Sequence, residues 1–87
     1  MEINRRRSSV EVIGDILRLG EAGKTEIMYG ANMSYRQLQR YLAFLIQDGF
    51  LERRMAPNPG VKYQPTQKGQ RLLRSIDTLL DILGAQG

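Results

Sequence analysis

The spacing of apolar residues along this chain changes character at Gly49. Before Gly49, apolar residues recur every three to four positions, as they do on one face of an α-helix. After it, residues 50–55 and 61–64 form two short extended runs around a Pro/Gly-rich turn at residues 56–60. Two such runs around a turn of this kind predict a β-hairpin. The 87 residues support one modest core, so a single domain should combine helices with one small hairpin.

Capping residues divide the part of the chain before the hairpin into three helices. Ser8 precedes an apolar-periodic segment that should end around residues 20–23, and Thr25 is the expected cap of a shorter second helix. Ser34 should cap a third helix, which Gly49 stops because glycine adopts the left-handed conformation that often follows a helix. Only a few residues join the second and third helices, which is the spacing of a helix-turn-helix.

A last helix follows the hairpin. Pro65 closes the second strand, and Thr66 should cap a helix that runs to about Leu83. The predicted fold is therefore mainly α with a small β-hairpin, in the order α-α-α-β-β-α of a winged helix-turn-helix. We expect a basic N-terminal arm at residues 1–7, the winged domain at residues 8–65 and a C-terminal dimerisation helix at residues 66–87.

The composition argues against an enzyme. The chain has no cysteine and no histidine, so the usual zinc ligands, the thiolate nucleophile and the commonest general base are missing. We expect no cofactor and no metal. The net charge of +4 favours a polyanionic partner. We expect no membrane partner and a cytoplasmic location, because the first residues carry no signal-peptide core and no apolar run could span a bilayer.

The third helix should present a polar face opposite Leu38, Leu42 and Leu45. Arginine and glutamine are well matched to the edges of DNA bases, and no acidic residue occurs between Tyr35 and Gln47. An ordinary solvated helix is the alternative, but such a face usually mixes both signs of charge. The residues predicted to contact DNA from this helix are Ser34, Tyr35, Arg36, Gln37, Gln39 and Arg40.

Two further basic segments are possible DNA contacts. In the hairpin, the predicted wing residues are Arg53, Arg54, Asn58 and Lys62, which would lie on the phosphate backbone or reach into the minor groove. The alternative is that these charges only protect an exposed strand edge from aggregation. Arg5, Arg6 and Arg7 could follow DNA into an adjacent minor groove, although a solvated terminus is the interpretation that we favour.

The last helix carries a seam of apolar residues at alternating spacings of three and four, beginning at Gly69, which is typical of a coiled coil. The apolar face is broad, so we expect part of it to pack on the first helix and part on a second subunit. A monomer whose core this helix completes is the alternative. The predicted dimer interface consists of Leu72, Ile76, Leu79, Leu80 and Leu83.

Several segments resemble the small archaeal winged-helix transcriptional regulators. They are residues 24–27 (KTEI), 32–38 (NMSYRQL), 41–42 (YL), 45 (L), 48–52 (DGFLE), 63–69 (YQPTQKG) and 72–73 (LL), and the resemblance covers about residues 10–83. It implies a short extra strand before the second helix, a C-terminal helix that dimerises and duplex DNA as the ligand. Some relatives have a longer last helix, and because this chain ends at Gly87 we expect a compact dimer.

The sequence thus favours a homodimeric, sequence-specific transcriptional regulator that binds double-stranded DNA. Two alternatives stay open: a chromatin-type protein that binds DNA with little sequence preference, and a winged-helix module that binds other proteins. A DNA-cleaving enzyme with a tyrosine nucleophile is disfavoured, because its acidic metal cluster has no counterpart among the scattered carboxylates.

Overall fold

The computed structural model describes residues 7–57 and 60–84. Their elements are α1 (Ser9–Arg18), α2 (Lys24–Gly30), α3 (Tyr35–Gln47), β1 (Leu51–Met55), β2 (Val61–Pro65) and α4 (Gln67–Gly84). The protein is mostly helical and its elements follow the order α-α-α-β-β-α, so the predicted fold class is confirmed.

Reciprocal hydrogen bonds fix where α1 and α3 begin. The Ser8 hydroxyl accepts from the N–H of Glu11 at 3.1 Å, and the Glu11 carboxylate accepts from the N–H of Ser8 at 2.8 Å. Ser34 and Gln37 form the same pair of bonds at the start of α3, at 3.2 and 3.0 Å. Each pair satisfies two donors that a helix end would otherwise leave without partners. The predicted caps at Ser8 and Ser34 are confirmed.

The start of α2 differs from the prediction. Gly23, and not Thr25, occupies the cap position, and α2 begins at Lys24. The carboxylate of Glu26 accepts from the backbone N–H of Gly23 at 2.7 Å. This bond satisfies the donor at the cap position, three residues before the glutamate. The expected cap at Thr25 was therefore wrong, because Glu26 moves the start of the helix towards the N-terminus.

β1 and β2 form an antiparallel hairpin in which Leu51 faces Pro65 and Met55 faces Val61. The other edge of β2 makes one further bridge, because Ala22 and Tyr63 exchange both backbone hydrogen bonds, at 2.9 and 2.8 Å. The extra strand implied by the family resemblance is thus present as a single bridged residue before α2. It ties the root of the hairpin to the segment between α1 and α2.

All the elements contribute to one core. Leu38, Leu42 and Leu45 of α3 are no more than 4% exposed, which confirms the face predicted from their spacing. They pack in one cluster with buried side chains from α1, α2 and the hairpin, which include Ile16, Leu17, Ile27, Leu51 and Tyr63. The opposite face of α3 is consequently held at the surface.

The first turn of α4 docks on the junction between α3 and β1. The Thr66 hydroxyl accepts from the N–H of Gly69 at 3.0 Å, which confirms Thr66 as the cap, and the N–H of Thr66 donates to the carbonyl of Phe50 at 3.0 Å. Gly69 is buried, and a Cβ added there would lie only 2.1 Å from the Phe50 carbonyl oxygen. Glycine at position 69 therefore allows the helix to approach this backbone closely.

Candidate nucleic-acid interface

Three predicted base-reading side chains lie together on the exposed face of α3. Arg36, Gln39 and Arg40 are all exposed, and residues three and four apart on a helix are neighbours. Neither arginine makes a hydrogen bond or an ion pair with any residue that the structure describes. Their guanidinium groups are thus available to a ligand that approaches this face.

The capping box engages two other predicted contacts. The side-chain oxygen of Gln37 accepts from the N–H of Ser34, and the Ser34 hydroxyl accepts from the N–H of Gln37. These two side chains are therefore held at the start of α3, and the amide nitrogen of the Gln37 side chain takes part in neither bond. Tyr35 is 53% exposed beside them.

Lys24 is a further functional candidate, beyond the residues predicted from the sequence. Its ammonium lies 5.9 Å from the centre of the Tyr35 ring, so the first residue of α2 adds a positive charge beside the start of α3. In a helix-turn-helix, the helix before the recognition helix crosses the phosphate backbone. The position of a lysine at the start of that helix was the signal that could have identified it.

One face of the hairpin carries a chain of polar contacts. Arg54 donates to the side-chain oxygen of Gln64 at 3.0 Å, and the Gln64 amide donates to Glu52 at 3.1 Å. Lys62 bonds Glu26 of α2 at 3.0 Å. The pKa of Glu26 is lowered, first by the hydrogen bond from the Gly23 N–H and then by Lys62. Part of the positive charge of Lys62 is therefore balanced within the protein.

Arg53 lies on the other face of the hairpin, directly opposite the buried Tyr63. Its side chain is exposed and has no hydrogen bond or ion pair in the described ranges 7–57 and 60–84. The structure thus distinguishes Arg53 from Arg54 and Lys62, which both have partners. Asn58, the fourth predicted wing residue, lies outside the described residues.

Arg7 is bound to its own domain. Its guanidinium pairs with Asp15 of α1 at 2.5 Å and donates to the carbonyls of Ala31 and Asn32 in the turn between α2 and α3. Asn32 adopts a left-handed conformation with φ of +54°, which asparagine tolerates better than most residues. Arg7 therefore stabilises this turn. Arg5 and Arg6, the other two predicted arm residues, lie outside the described residues.

The seam of α4 divides into an inner and an outer part. Ile76 is 5% exposed, and its side chain packs close to Gly14 of α1, where an added Cβ would lie 3.1 Å from it. Leu72 and Leu80 are half-buried, whereas Leu79 is 44% and Leu83 56% exposed. The structure thus uses Ile76 inside the chain and leaves Leu79 and Leu83 on the surface.

No group of three or more histidine, cysteine, aspartate or glutamate residues that could hold a metal ion occurs within ranges 7–57 and 60–84. None of the helices in this part of the chain is long and apolar enough to cross a membrane.

The comparisons with known proteins agree with this architecture. A family model described as winged helix-turn-helix matches residues 6–83. The uncharacterized protein MJ0287 of Methanocaldococcus jannaschii is 38% identical over 88 residues, which cover 95% of this chain and 86% of that protein. The crystal structure of Sso10a-2, a DNA-binding protein from Sulfolobus solfataricus, superimposes with a TM-score of 0.81 at 30% identity, over 92% of this chain and 85% of that one.

A more distant likeness concerns the fold alone. The crystal structure of a MarR family transcription regulator superimposes with a TM-score of 0.77 at 22% identity. The match covers 88% of this chain and 53% of the regulator.

Proposed function

The chain belongs to the winged helix-turn-helix family, with small archaeal relatives, and from this premise we propose that it is a transcriptional regulator that binds double-stranded DNA. The observation that carries the proposal is the pair of arginines on α3, Arg36 and Arg40, which are exposed and without partners in the described part of the chain. The description of Sso10a-2 as a DNA-binding protein supports it.

We propose further that α3 reads base sequence in the major groove. Arg36 and Arg40 each carry the forked donors that match the two acceptors of guanine, and Gln39 between them can pair with adenine. No acidic residue occurs in α3 (Tyr35–Gln47) to repel the phosphates on either side of the groove. The N-terminal half of the helix, where these residues lie, is the part that usually meets base edges.

In this proposal the hairpin and Lys24, the first residue of α2, hold the protein on the phosphate backbone. Arg53 is the strongest phosphate ligand of the wing, because its charge is unpaired in the described structure. Arg54 and Lys62 would exchange their present partners, Gln64 and Glu26, for phosphate oxygens. Lys24 would contact the backbone at the start of α3.

Selection of bound sequences from a random pool of duplexes tests the proposal. A sequence-specific regulator should enrich a defined motif, and a homodimer should enrich two related half-sites about one helical turn apart. Uniform retention of all sequences would favour the low-specificity, chromatin-type alternative. If no duplex is retained at low salt, the proposal of DNA binding is wrong, and a protein-interaction module becomes the better interpretation.

Substitution of the wing cations should reduce the salt dependence of DNA binding. Each lost phosphate contact should lower the slope of log affinity against log salt by about 0.9. We expect the full effect for Arg53→Ala and a smaller one for Lys62→Ala, because the Lys62 charge is already balanced by Glu26. Fluorescence anisotropy titrations of one duplex at several salt concentrations measure the slope. Arg74→Ala, which removes an equal charge from α4, is the control. If the slope is unchanged for the Arg53, Arg54 and Lys62 variants alike, the wing does not contact DNA.

The outer part of the α4 seam should join two subunits. We expect sedimentation to show a dimer for the parent and a monomer for Leu79→Arg, because the new charge would be buried without a partner between subunits. Leu79 is 44% exposed in the single chain, so the monomer should keep its fold and its circular dichroism. Tyr29→Arg, which changes a 79% exposed residue of α2, should remain dimeric. A parent that is monomeric at high micromolar concentration would contradict dimerisation through α4.

A further inference from the structure

Met55, the last residue of β1, is an apolar side chain that the fold leaves at the surface. It is 73% exposed, and its cross-strand partner Val61 is 36% exposed. Residues at alternate positions of a strand share a face, so Met55 and Val61 continue the face that carries the buried Leu51 and Tyr63. The hairpin therefore projects beyond the core, and its apolar face has no cover at the far end in the described part of the chain.

Cations border this apolar pair. Arg53, Arg54, Met55 and Val61 line one concavity of about 290 Å³. Arg53 lies two positions from Met55 on the same face and has no partner among the described residues. The nearest strand carboxylate, Glu52, lies on the opposite face and accepts a bond from Gln64. A complementary partner would therefore offer an apolar surface bordered by negative charge.

The minor groove of duplex DNA has these properties. It is about 6 Å wide, phosphates flank it on both sides, and the stacked bases at its floor can be opened by an apolar side chain. Methionine is unbranched and flexible, and it is among the residues that enter base steps in this way. A charged residue at this position would fit such a crevice less well.

We propose that Met55 inserts into the minor groove, partly unstacks one base step and bends the duplex when the hairpin docks on it. The inference rests on the proposed function, since it requires DNA as the partner. It goes beyond phosphate binding by the wing, because the energy it adds comes from apolar contact and not from charge. Unstacking costs a few kcal/mol per step, which the additional protein–DNA contact along the bent duplex offsets.

The test uses the full chain and a duplex that it binds. In a series of such duplexes, 2-aminopurine replaces one base at a time along the minor-groove site and reports unstacking. A donor–acceptor dye pair at the two ends of the duplex reports bending. The wild-type protein should raise the 2-aminopurine fluorescence at one step and increase energy transfer between the ends. Met55→Ala should abolish both signals and weaken binding roughly fivefold, the loss expected when part of a methionine side chain is no longer buried. Met55→Leu should retain both signals.

The salt dependence separates the two contributions of the wing. Met55→Ala should leave the log–log salt slope unchanged, whereas Arg53→Ala should lower it by about 0.9 and keep the fluorescence increase at saturation. Tyr29→Ala, a truncation of an exposed apolar residue on α2, is the control and should change none of the readouts.

The possible failures are distinguishable. If the wild type binds duplexes but Met55→Ala matches it in fluorescence, energy transfer and affinity, the insertion is overturned while DNA binding stands. If Met55→Ala changes the sedimentation coefficient of the free protein, Met55 covers a second copy of the chain and the insertion is likewise overturned. If the wild type binds no duplex, the proposed function fails, and the insertion with it.

Discussion

Replacing Gly69 with alanine should lower the free energy of unfolding by about 3 kcal/mol, a large loss for a domain of this size. The added Cβ would lie 2.1 Å from the Phe50 carbonyl oxygen, which is a backbone atom and cannot rotate away. Relief requires α4 to move from the α3–β1 junction, and that movement would break the bonds between Thr66 and residues 49 and 50. Urea unfolding followed by circular dichroism measures the loss.

Gly84→Ala is the matched control, because Gly84 lies in the same helix and a Cβ there would meet nothing within 4 Å. It should leave stability unchanged or raise it by up to about 1 kcal/mol, since alanine favours the helix more than glycine does. The loss at Gly69 should also be independent of protein concentration, because its cause lies within one chain. Equal stability of the two variants would contradict the close approach of α4 to Phe50.

The starts of α1 and α3 could be predicted because they depend on neighbouring residues alone. Ser8 with Glu11, and Ser34 with Gln37, each form a closed set of bonds within one helical turn. The same local chemistry explains the error at α2. Thr25 has the side chain of a good cap, but Glu26 forms the competing bond to Gly23 and the helix begins earlier.

The seam of α4 shows where spacing alone stops being informative. A periodic apolar stripe indicates that a helix has a partner, but not whether that partner is another part of the chain or another subunit. Gly69 and Ile76 fit the coiled-coil pattern, yet they contact Phe50 and α1 of their own chain. The exposure of Leu79 and Leu83 in the single chain identifies the part of the seam that a second subunit could cover.

The side chains on the exposed face of α3 could also be predicted, since the position of a residue around a helix follows from its number. The sequence could not predict which of the basic residues already have partners, because those partners are distant in sequence. Arg7 bonds the carbonyls of Ala31 and Asn32, and Lys62 bonds Glu26. These contacts depend on the folded arrangement of α1, α2 and the hairpin, and they change which basic residues are free to meet DNA.

Arg36 and Arg40 provide the sharpest test of sequence reading. If either makes a bidentate bond to guanine, its replacement by alanine should cost about 1–3 kcal/mol of binding free energy on the selected duplex. The cost on a random duplex of equal length should be smaller, because only a charge is lost there. Neither side chain contributes to the core, so urea unfolding should not distinguish the variants from the parent.

The comparison of the two duplexes decides between the two kinds of DNA-binding protein. Competition titrations at one fixed salt concentration give the ratio of affinities for the selected and the random duplex. This ratio should fall severalfold, and by at most about a hundredfold, for Arg36→Ala or Arg40→Ala. Arg74→Ala, which removes the same charge from α4, should leave the ratio unchanged. Equal weakening on both duplexes would make the two arginines phosphate ligands, because a lost phosphate contact costs the same on every sequence. The protein would then bind DNA as a low-specificity, chromatin-type protein, held by charge and not by base contacts.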